Sequence, residues 1–82
     1  MSIKSGLNDA LAKALYGRNA QWNITSLFYF IVIEVYLRDI DVYVEKKYSY
    51  DDYKYSTTKD VVNDIVDDIM NEVESRVQDA KL

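Results

Sequence analysis

The feature that most constrains the fold is an apolar segment over residues 27–37, LFYFIVIEVYL, which contains one charged residue, Glu34. The segment is shorter than the ~20 residues that a helix needs to cross a bilayer. Its Phe, Tyr, Ile and Val side chains suit a pleated surface, although a continuous apolar run does not by itself distinguish a strand from a buried helix. We expect a buried strand that is apolar on both faces, and no membrane span.

Residues 40–45 alternate strictly between apolar and polar side chains, which is typical of a strand with one face in water. The phase of the pattern changes at Arg38 and Asp39, where either a tight turn or a bulge would account for the shift. A turn is favoured and gives an antiparallel hairpin. A second turn at residues 51–52, inside the segment YSYDDYKY (48–55), would complete a three-stranded meander.

Two helices flank these strands. Apolar residues at helical spacing predict a helix over residues 3–16, with Ser2 as the N-cap and Gly17 as the C-terminal stop. The segment RNAQWN (18–23) is expected to be a connector. A second apolar stripe predicts a helix over residues 58–77, which one of the two threonines at its start can cap.

The predicted order of elements is α-β-β-β-α. The 82 residues contain no internal repeat and no Pro- or Gly-rich linker, so we expect a single α+β domain over residues 1–82. Its architecture would be a three-stranded antiparallel meander packed by two helices. If both helices cover one face of the sheet, the other face needs cover as well, and a homodimer supplies it most simply.

Composition excludes much familiar chemistry. The chain has no Cys and no His, so it lacks disulfides, thiolate metal sites and the commonest general base. Its two glycines form no phosphate-binding loop. A buried Glu34 would suit general acid catalysis, but it has no obvious partner carboxylate, and pairing with Arg38 or a place at a sheet edge is the simpler explanation. We therefore expect no catalytic site, no cofactor and no metal.

The net charge of −4 is concentrated in one segment. Residues 60–75 hold six carboxylates and no Lys or Arg. Like charges four residues apart on a helix cost about 0.2–0.5 kcal/mol per pair. On the predicted helix, successive positions of such a row lie ~6 Å apart, an interval of the same order as phosphate spacing along a nucleic-acid strand. The candidate residues are a row at this spacing and one neighbour beside it: Asp60, Asp64, Asp68, Glu72 and Asp67. They form either a solvated face or a recognition face for a basic surface.

The second candidate group is a set of tyrosines in the predicted second hairpin: Tyr48, Tyr50, Tyr53 and Tyr55. Aromatic rings with a polar tip are common at protein interfaces. The alternative is that they pair across strands and shield the core. Nearby lysines would allow bases to stack on these rings, but Asp51, Asp52 and the overall acidity oppose a phosphate backbone, so we expect no direct nucleic-acid binding.

This small, acidic profile without Cys or His resembles that of phage-encoded inhibitors, including nucleic-acid mimics and anti-CRISPR or anti-restriction proteins. The similarity is one of size and charge. It implies a non-enzymatic binding module that occupies a basic, nucleic-acid-binding surface of a host protein. The abundance of Ile, Tyr, Lys, Asp and Asn agrees with an AT-rich phage or virus, and the N-terminus shows no secretory signal, so a cytoplasmic location in the host is expected. The alternative is an assembly subunit that oligomerises through its apolar strand and tyrosines.

Overall fold

A computed structural model describes residues 2–54 and 56–81 of the chain. The elements follow the order α-β-β-β-α, so the predicted α+β class is confirmed. They are the helices α1 (Ile3–Ala14) and α2 (Thr58–Lys81), the strands β1 (Ala20–Ser26), β2 (Phe30–Leu37) and β3 (Val42–Ser49), and a short 3₁₀ helix over Tyr50–Tyr53. The strands form one antiparallel meander in the order β1-β2-β3.

The helix caps are confirmed. Ser2 Oγ accepts a hydrogen bond from Ser5 N–H at 3.1 Å, and Thr57 Oγ1 accepts one from Asp60 N–H at 3.2 Å, as expected of N-cap residues. Gly17 follows α1 with a φ of 82°, a left-handed conformation that glycine adopts without a steric penalty. The helices differ from the prediction only at their C-terminal ends, where α1 is two residues shorter and α2 four residues longer.

β1 lies where the sequence predicts a connector, so the prediction for residues 18–23 is wrong. The strand pairs with β2 along its whole length, with Trp22 opposite Val35 and Ile24 opposite Ile33. Its two large apolar side chains alternate with polar ones, a pattern too short to distinguish a strand from a loop. Pairing with an apolar neighbour, rather than local propensity, makes this segment a strand.

The run predicted as one strand over residues 27–37 divides into a hairpin turn and β2. Leu27, Phe28 and Tyr29 form the turn and are exposed. Leu27 N–H donates to Phe30 C=O at 2.8 Å, and the rings of Phe28 and Tyr29 meet edge to face with centroids 4.7 Å apart. The turn contains none of the Gly, Pro, Asn or Asp residues that usually indicate a turn. Its apolar residues therefore looked like part of the strand in the sequence.

The predicted turn after β2 is confirmed as the connection over residues 38–41. Asp41 has a φ of 53°, in the left-handed region that Asp tolerates better than most residues. The Tyr36 hydroxyl donates to Asp41 Oδ1 at 2.8 Å and holds the turn against β2. Ile40, predicted as the first residue of the next strand, belongs to this turn and is partly exposed.

The predicted third strand after residues 51–52 is wrong. Tyr50–Tyr53 forms the 3₁₀ helix, and Ser49 Oγ accepts a hydrogen bond from Asp51 N–H at 3.3 Å. Two Asp residues in its first turn complement the partial positive charge of a helix N-terminus. The third strand of the meander is β1 instead. Tyr55, the last residue of the predicted strand, lies outside the described residues.

Both helices pack on the same face of the sheet. This face presents eight buried side chains, namely Ile24 of β1, Ile31, Ile33, Val35 and Leu37 of β2, and Val42, Val44 and Tyr48 of β3. The helices cover them with Leu7 and Leu11 of α1 and with Val61, Val62, Ile65, Ile69, Val73 and Val77 of α2. No charged residue is buried in the part of the chain that the structure describes.

The opposite face of the sheet, which we call the open face, has no described element over it. It presents eleven side chains, Gln21, Asn23, Thr25, Phe30, Val32, Glu34, Tyr36, Tyr43, Glu45, Lys47 and Ser49. Tyr43 is 48% exposed, while Phe30, Val32 and Tyr36 are half-buried by their neighbours. Lys47 Nζ lies 4.1 Å from the centre of the Phe30 ring, a cation–π contact. Within one copy of the chain, the described elements cover β2 on one face only. The homodimer that would cover the other face stays a prediction.

Val35 and Val32 are identical side chains on opposite faces of β2, and they allow a matched test of one-sided packing. We expect Val35→Ala to lower the free energy of unfolding by about 2 kcal/mol, because it leaves a cavity in the core, and Val32→Ala by less than about 1 kcal/mol. Denaturant titration measures both losses. Equal losses at low protein concentration would contradict one-sided packing, and a Val32→Ala loss that grows with concentration would indicate a second copy on the open face.

Candidate protein-binding surface

The acidic residues of α2 form an arc that winds around the helix. Positions four apart on an α-helix are rotated by about 40° relative to one another, so the predicted row moves gradually from the solvent side toward β3. Asp60 and Asp64, at its beginning, are exposed, whereas Glu72, at its end, is half-buried. The members of the row therefore have different surroundings, which the spacing in the sequence does not reveal.

Asp68 is joined to β3 by two contacts. The Tyr48 hydroxyl donates to Asp68 Oδ2 at 2.7 Å, and Lys46 Nζ lies 2.8 Å from the same oxygen. Lys46 and Tyr48 are alternate residues of β3, so both side chains point to the helix side of the sheet. The hydrogen bond from Lys46 lowers the pKa of Asp68, assisted by the one from Tyr48, and the same contact with Asp68 raises the pKa of Lys46.

The acidic row and the tyrosine-rich segment, which are separate in the sequence, meet in the structure. Burial raises the pKa of Tyr48, and its hydrogen bond to Asp68 acts in the same direction. Tyr53 is half-buried, and its pKa is raised first by burial and then by the charges of Asp64, Asp68 and Asp52. Carboxylates of α2 and of the 3₁₀ helix therefore converge on the Tyr53 ring.

The first half of α2 carries carboxylates that pair with no cation among the described residues. Asp60, Asp64 and Asp67 are exposed, and their carboxylates make no hydrogen bond or ion pair with another described residue. Further along the helix, Glu72 Oε1 lies 3.2 Å from Arg76 Nε. We use the name acidic surface for these carboxylates of α2 and the two tyrosines beside them: Asp60, Asp64, Asp67, Asp68, Glu72, Tyr48 and Tyr53.

Tyr50 lies elsewhere. Its hydroxyl is 2.6 Å from Ser26 Oγ, and its N–H donates to Tyr29 C=O at 3.1 Å, so the residue packs against the end of the sheet formed by the β1–β2 hairpin. No hydrogen bond links it to α2 within the described residues. The fourth predicted tyrosine, Tyr55, is outside them. The structure thus joins two of the four tyrosines to the acidic residues.

Glu34 is on the open face rather than buried in the core. The Tyr43 hydroxyl lies 2.9 Å from Oε2 of Glu34 and 2.9 Å from Oε2 of Glu45, and these hydrogen bonds raise the pKa of Tyr43. The two glutamates occupy opposite positions on β2 and β3. Neither simple explanation from the sequence holds, because Glu34 makes no ion pair with Arg38 and β2 is the central strand. Sequence reasoning missed this pair, since its register depends on the length of the intervening turn.

The chain carries no family signature. No protein-family model matches it, and no curated protein or solved structure is significantly similar to it. Within residues 2–54 and 56–81, no group of three or more acidic side chains is arranged to hold a metal ion. Neither described helix has the length and apolar character needed to cross a membrane. Function is therefore inferred from the surfaces themselves.

The contacts of Asp68 predict a pH-dependent contribution to stability. Because its pKa is lowered in the folded state, the contribution is complete above the ordinary Asp pKa of 3.8 and is lost as the pH falls through the lower folded-state value. We expect Asp68→Asn to be less stable than the wild type near neutral pH, with a difference that disappears in strong acid. Urea denaturation over this pH range measures the difference.

Asp67→Asn is the matched control, since Asp67 is on the same helix and its carboxylate makes no hydrogen bond or ion pair with another described residue. It should be as stable as the wild type, or slightly more stable because a like-charge neighbour is removed. If Asp67→Asn and Asp68→Asn lost the same stability with the same pH dependence, the contacts of Asp68 with Lys46 and Tyr48 would contribute nothing specific to the fold.

Proposed function

We propose that the protein is a non-enzymatic binding module whose acidic surface docks on a basic surface of a partner protein. The observation that supports it is the group of exposed, uncompensated carboxylates Asp60, Asp64 and Asp67. Like charges three or four residues apart cost a helix about 0.2–0.5 kcal/mol per pair. A basic partner replaces that repulsion with attraction, and it also accelerates association through long-range steering.

The other members of the acidic surface have a different role in this proposal. Asp68 and Glu72 are already paired with cations of the chain, so they contribute less charge to a partner. Tyr48 and Asp68 hold α2 against β3 and keep the exposed carboxylates in a rigid arrangement, which reduces the entropy lost on binding. The half-buried Tyr53 ring offers an apolar contact with a polar tip beside the charges, a combination common at interfaces.

In its sharpest form the proposal is nucleic-acid mimicry. Carboxylates one helical turn apart, at intervals of ~6 Å, would occupy a groove of the partner that normally binds DNA or RNA phosphates. The protein would then be a phage- or virus-type inhibitor, such as an anti-CRISPR or anti-restriction protein, acting in the host cytoplasm. The regularity of the row and the lack of Lys or Arg over residues 60–75 support this form.

The triple variant Asp60→Asn, Asp64→Asn and Asp67→Asn tests the binding surface. The amides have nearly the shape of the carboxylates and leave the contacts of Asp68 intact, so the fold is retained. We expect the affinity for a partner captured from the source cell to fall at least about tenfold, and the wild-type affinity to weaken with rising salt concentration. Titration calorimetry at two salt concentrations measures both effects.

The control variant removes three charges outside the acidic surface: Asp9→Asn, Asp39→Asn and Asp79→Asn. It has the same net charge as the test variant and should bind the partner as the wild type does. Equal losses for the two variants would contradict the assignment of the surface. If a saturated partner kept its DNA or RNA, the mimic form of the proposal would be wrong while docking itself could stand.

A second candidate function, an assembly subunit, is favoured by the open face. Phe30, Val32 and Tyr36 lie there without a covering element, and the exposed turn residues Phe28 and Tyr29 lie at one end. Apolar surface of this kind often marks an interface between protein chains. In this alternative the protein forms a homodimer or larger oligomer through the open face, and the charges of α2 keep the assembly in solution.

Sedimentation velocity of the wild type and of Val32→Lys tests this alternative. We expect association of the wild type that increases with protein concentration, and a monomeric Val32→Lys variant, because a buried unpaired ammonium is costly at an apolar interface. The exposed substitution Lys59→Glu, on α2, is the control and should associate normally. A wild type that stays monomeric at high micromolar concentration would contradict assembly through the open face.

A further inference from the structure

The two edges of the sheet differ in how they are protected. β3 carries Glu45, Lys46 and Lys47, charged residues of the kind that keep edge strands from pairing with other chains. β1, with the sequence AQWNITS, contains no charged residue, no Pro and no Gly, and its register with β2 continues without a bulge from Ala20 to Ser26. β1 is therefore the edge at which a further strand can add.

The backbone groups that point outward from β1 belong to its even-numbered residues. Leu27 N–H donates to Phe30 C=O at one end of the β1–β2 ladder, and Asn19 C=O accepts at the other. Inward and outward bonding alternates along an antiparallel ladder, so Trp22 and Ile24 direct their N–H and C=O groups away from β2. No backbone hydrogen bond between described residues occupies these groups. A strand of another molecule would find them available.

A groove follows each side of this edge. The groove on the open face is lined mainly by Gln21, Asn23, Glu34, Tyr36 and Tyr43. The groove on the helix side is lined mainly by Ser2, Lys4, Ser5, Asn8 and Ile24. Asn8, Trp22 and Asn23 line both grooves at the edge itself. The Trp22 indole N–H donates to Asn8 Oδ1 at 3.0 Å, which anchors the ring between β1 and α1. Because successive side chains of an added strand alternate between faces, they would enter the two grooves in turn.

The two grooves carry opposite charges. On the open face, the Tyr43 hydroxyl shares its one proton between Oε2 of Glu34 and Oε2 of Glu45, each 2.9 Å away, which leaves the other oxygen of each carboxylate without a hydrogen bond from a described residue. Carboxylates directly opposite each other on neighbouring strands repel, so this pair favours an additional cation. On the helix side, Lys4 makes no ion pair with the described residues. A ligand that suits both grooves therefore presents a base on one face and an acid on the other.

We propose that β1 binds an extended segment of a partner protein by adding it to the sheet, with a Lys or Arg directed to Glu34 and a neighbouring Asp or Glu directed to Lys4. A residue of the added strand opposite Asn23 lies two strand spacings, about 10 Å, from Glu34, and a Lys or Arg side chain reaches the carboxylate across the shorter Asn23. The backbone bonds supply affinity, and the two charges select the sequence.

The charges favour this occupant over a second copy of the chain. In a symmetric pairing of two β1 strands, each would place only neutral side chains in the grooves of the other, and Glu34 and Lys4 would gain no opposite charge. The site also uses no residue of the acidic surface, which lies on the side of α2 near β3. Binding at β1 is thus independent of the function proposed above.

Two blocked synthetic peptides of equal composition test the proposal. In the first, Thr-Val-Thr-Lys-Glu-Val-Thr, the base and the acid are adjacent and point to opposite faces of a strand. In the second, Thr-Val-Lys-Thr-Glu-Val-Thr, they share one face. We expect the first peptide to bind at least about tenfold more tightly, and to slow hydrogen exchange at the Trp22 and Ile24 amides, as measured by NMR.

Matched variants locate the charge contacts. Glu34→Gln should weaken binding of the first peptide about fivefold or more, and Lys4→Gln should act likewise. Glu45→Gln is the control for Glu34→Gln, since it removes the same charge and the same repulsion one strand further from the edge. It should leave the affinity within about twofold of the wild type. The Asp60, Asp64 and Asp67 triple variant should also bind the peptide normally, which separates this test from that of the acidic surface.

Four results of the peptide experiments would overturn the proposal. They are equal affinity for the two peptides, protection of β3 amides in place of those of β1, no protection by either peptide, and equal effects of Glu34→Gln and Glu45→Gln. Protection of the Trp22 and Ile24 amides that grows with protein concentration in the absence of peptide would also overturn it, because the edge would then belong to a second copy.

Discussion

The structure depends on the burial of one face of β2. The side chains of this strand are largely apolar on both faces, but the helices cover only one of them. Both helices close over the face that contains Ile31, Ile33 and Val35, and this packing buries the apolar stripes of α1 and α2 as well. A chain with two helices on one side of a three-stranded sheet leaves the other side, the edges and the back of the long helix in contact with water. The proposed interactions with other molecules use these surfaces.

Tyr48 connects the buried core to the acidic surface. Its ring is 8% exposed among the apolar side chains, and its hydroxyl donates to Asp68 at the edge of α2. Tyr48 therefore holds α2 against β3 in two ways, through apolar contacts of its ring and through the hydrogen bond of its hydroxyl. Tyr48 and Lys46 both contact the carboxylate of Asp68, in the middle of the acidic row. The carboxylates without a cation beside them are therefore those at the start of α2. The proposed strand-addition site lies at the opposite edge of the sheet, which separates the two proposed interactions in space.

Local signals of the sequence predict the two helices and the hairpin of β2 and β3 well. Ser2, Gly17 and Thr57 have side-chain or backbone properties that act within a few residues, and the apolar stripe of α2 repeats over about five turns. β1 and the turn over residues 27–29 lacked such signals. The residue pattern of each segment does not identify the strand or the turn. Both form because β1 pairs with β2.

The sequence by itself determined the fold class, the apolar face of each helix and the presence of an acidic row, since these follow from residue type and helical or strand periodicity. Only the tertiary structure decided which acids are compensated, that Tyr48 and Tyr53 lie beside them, and that Glu34 faces Glu45. Those facts depend on distances between residues far apart in the chain. Such distances are set by strand register and by the packing of α2 on β3, which no single segment of the sequence encodes.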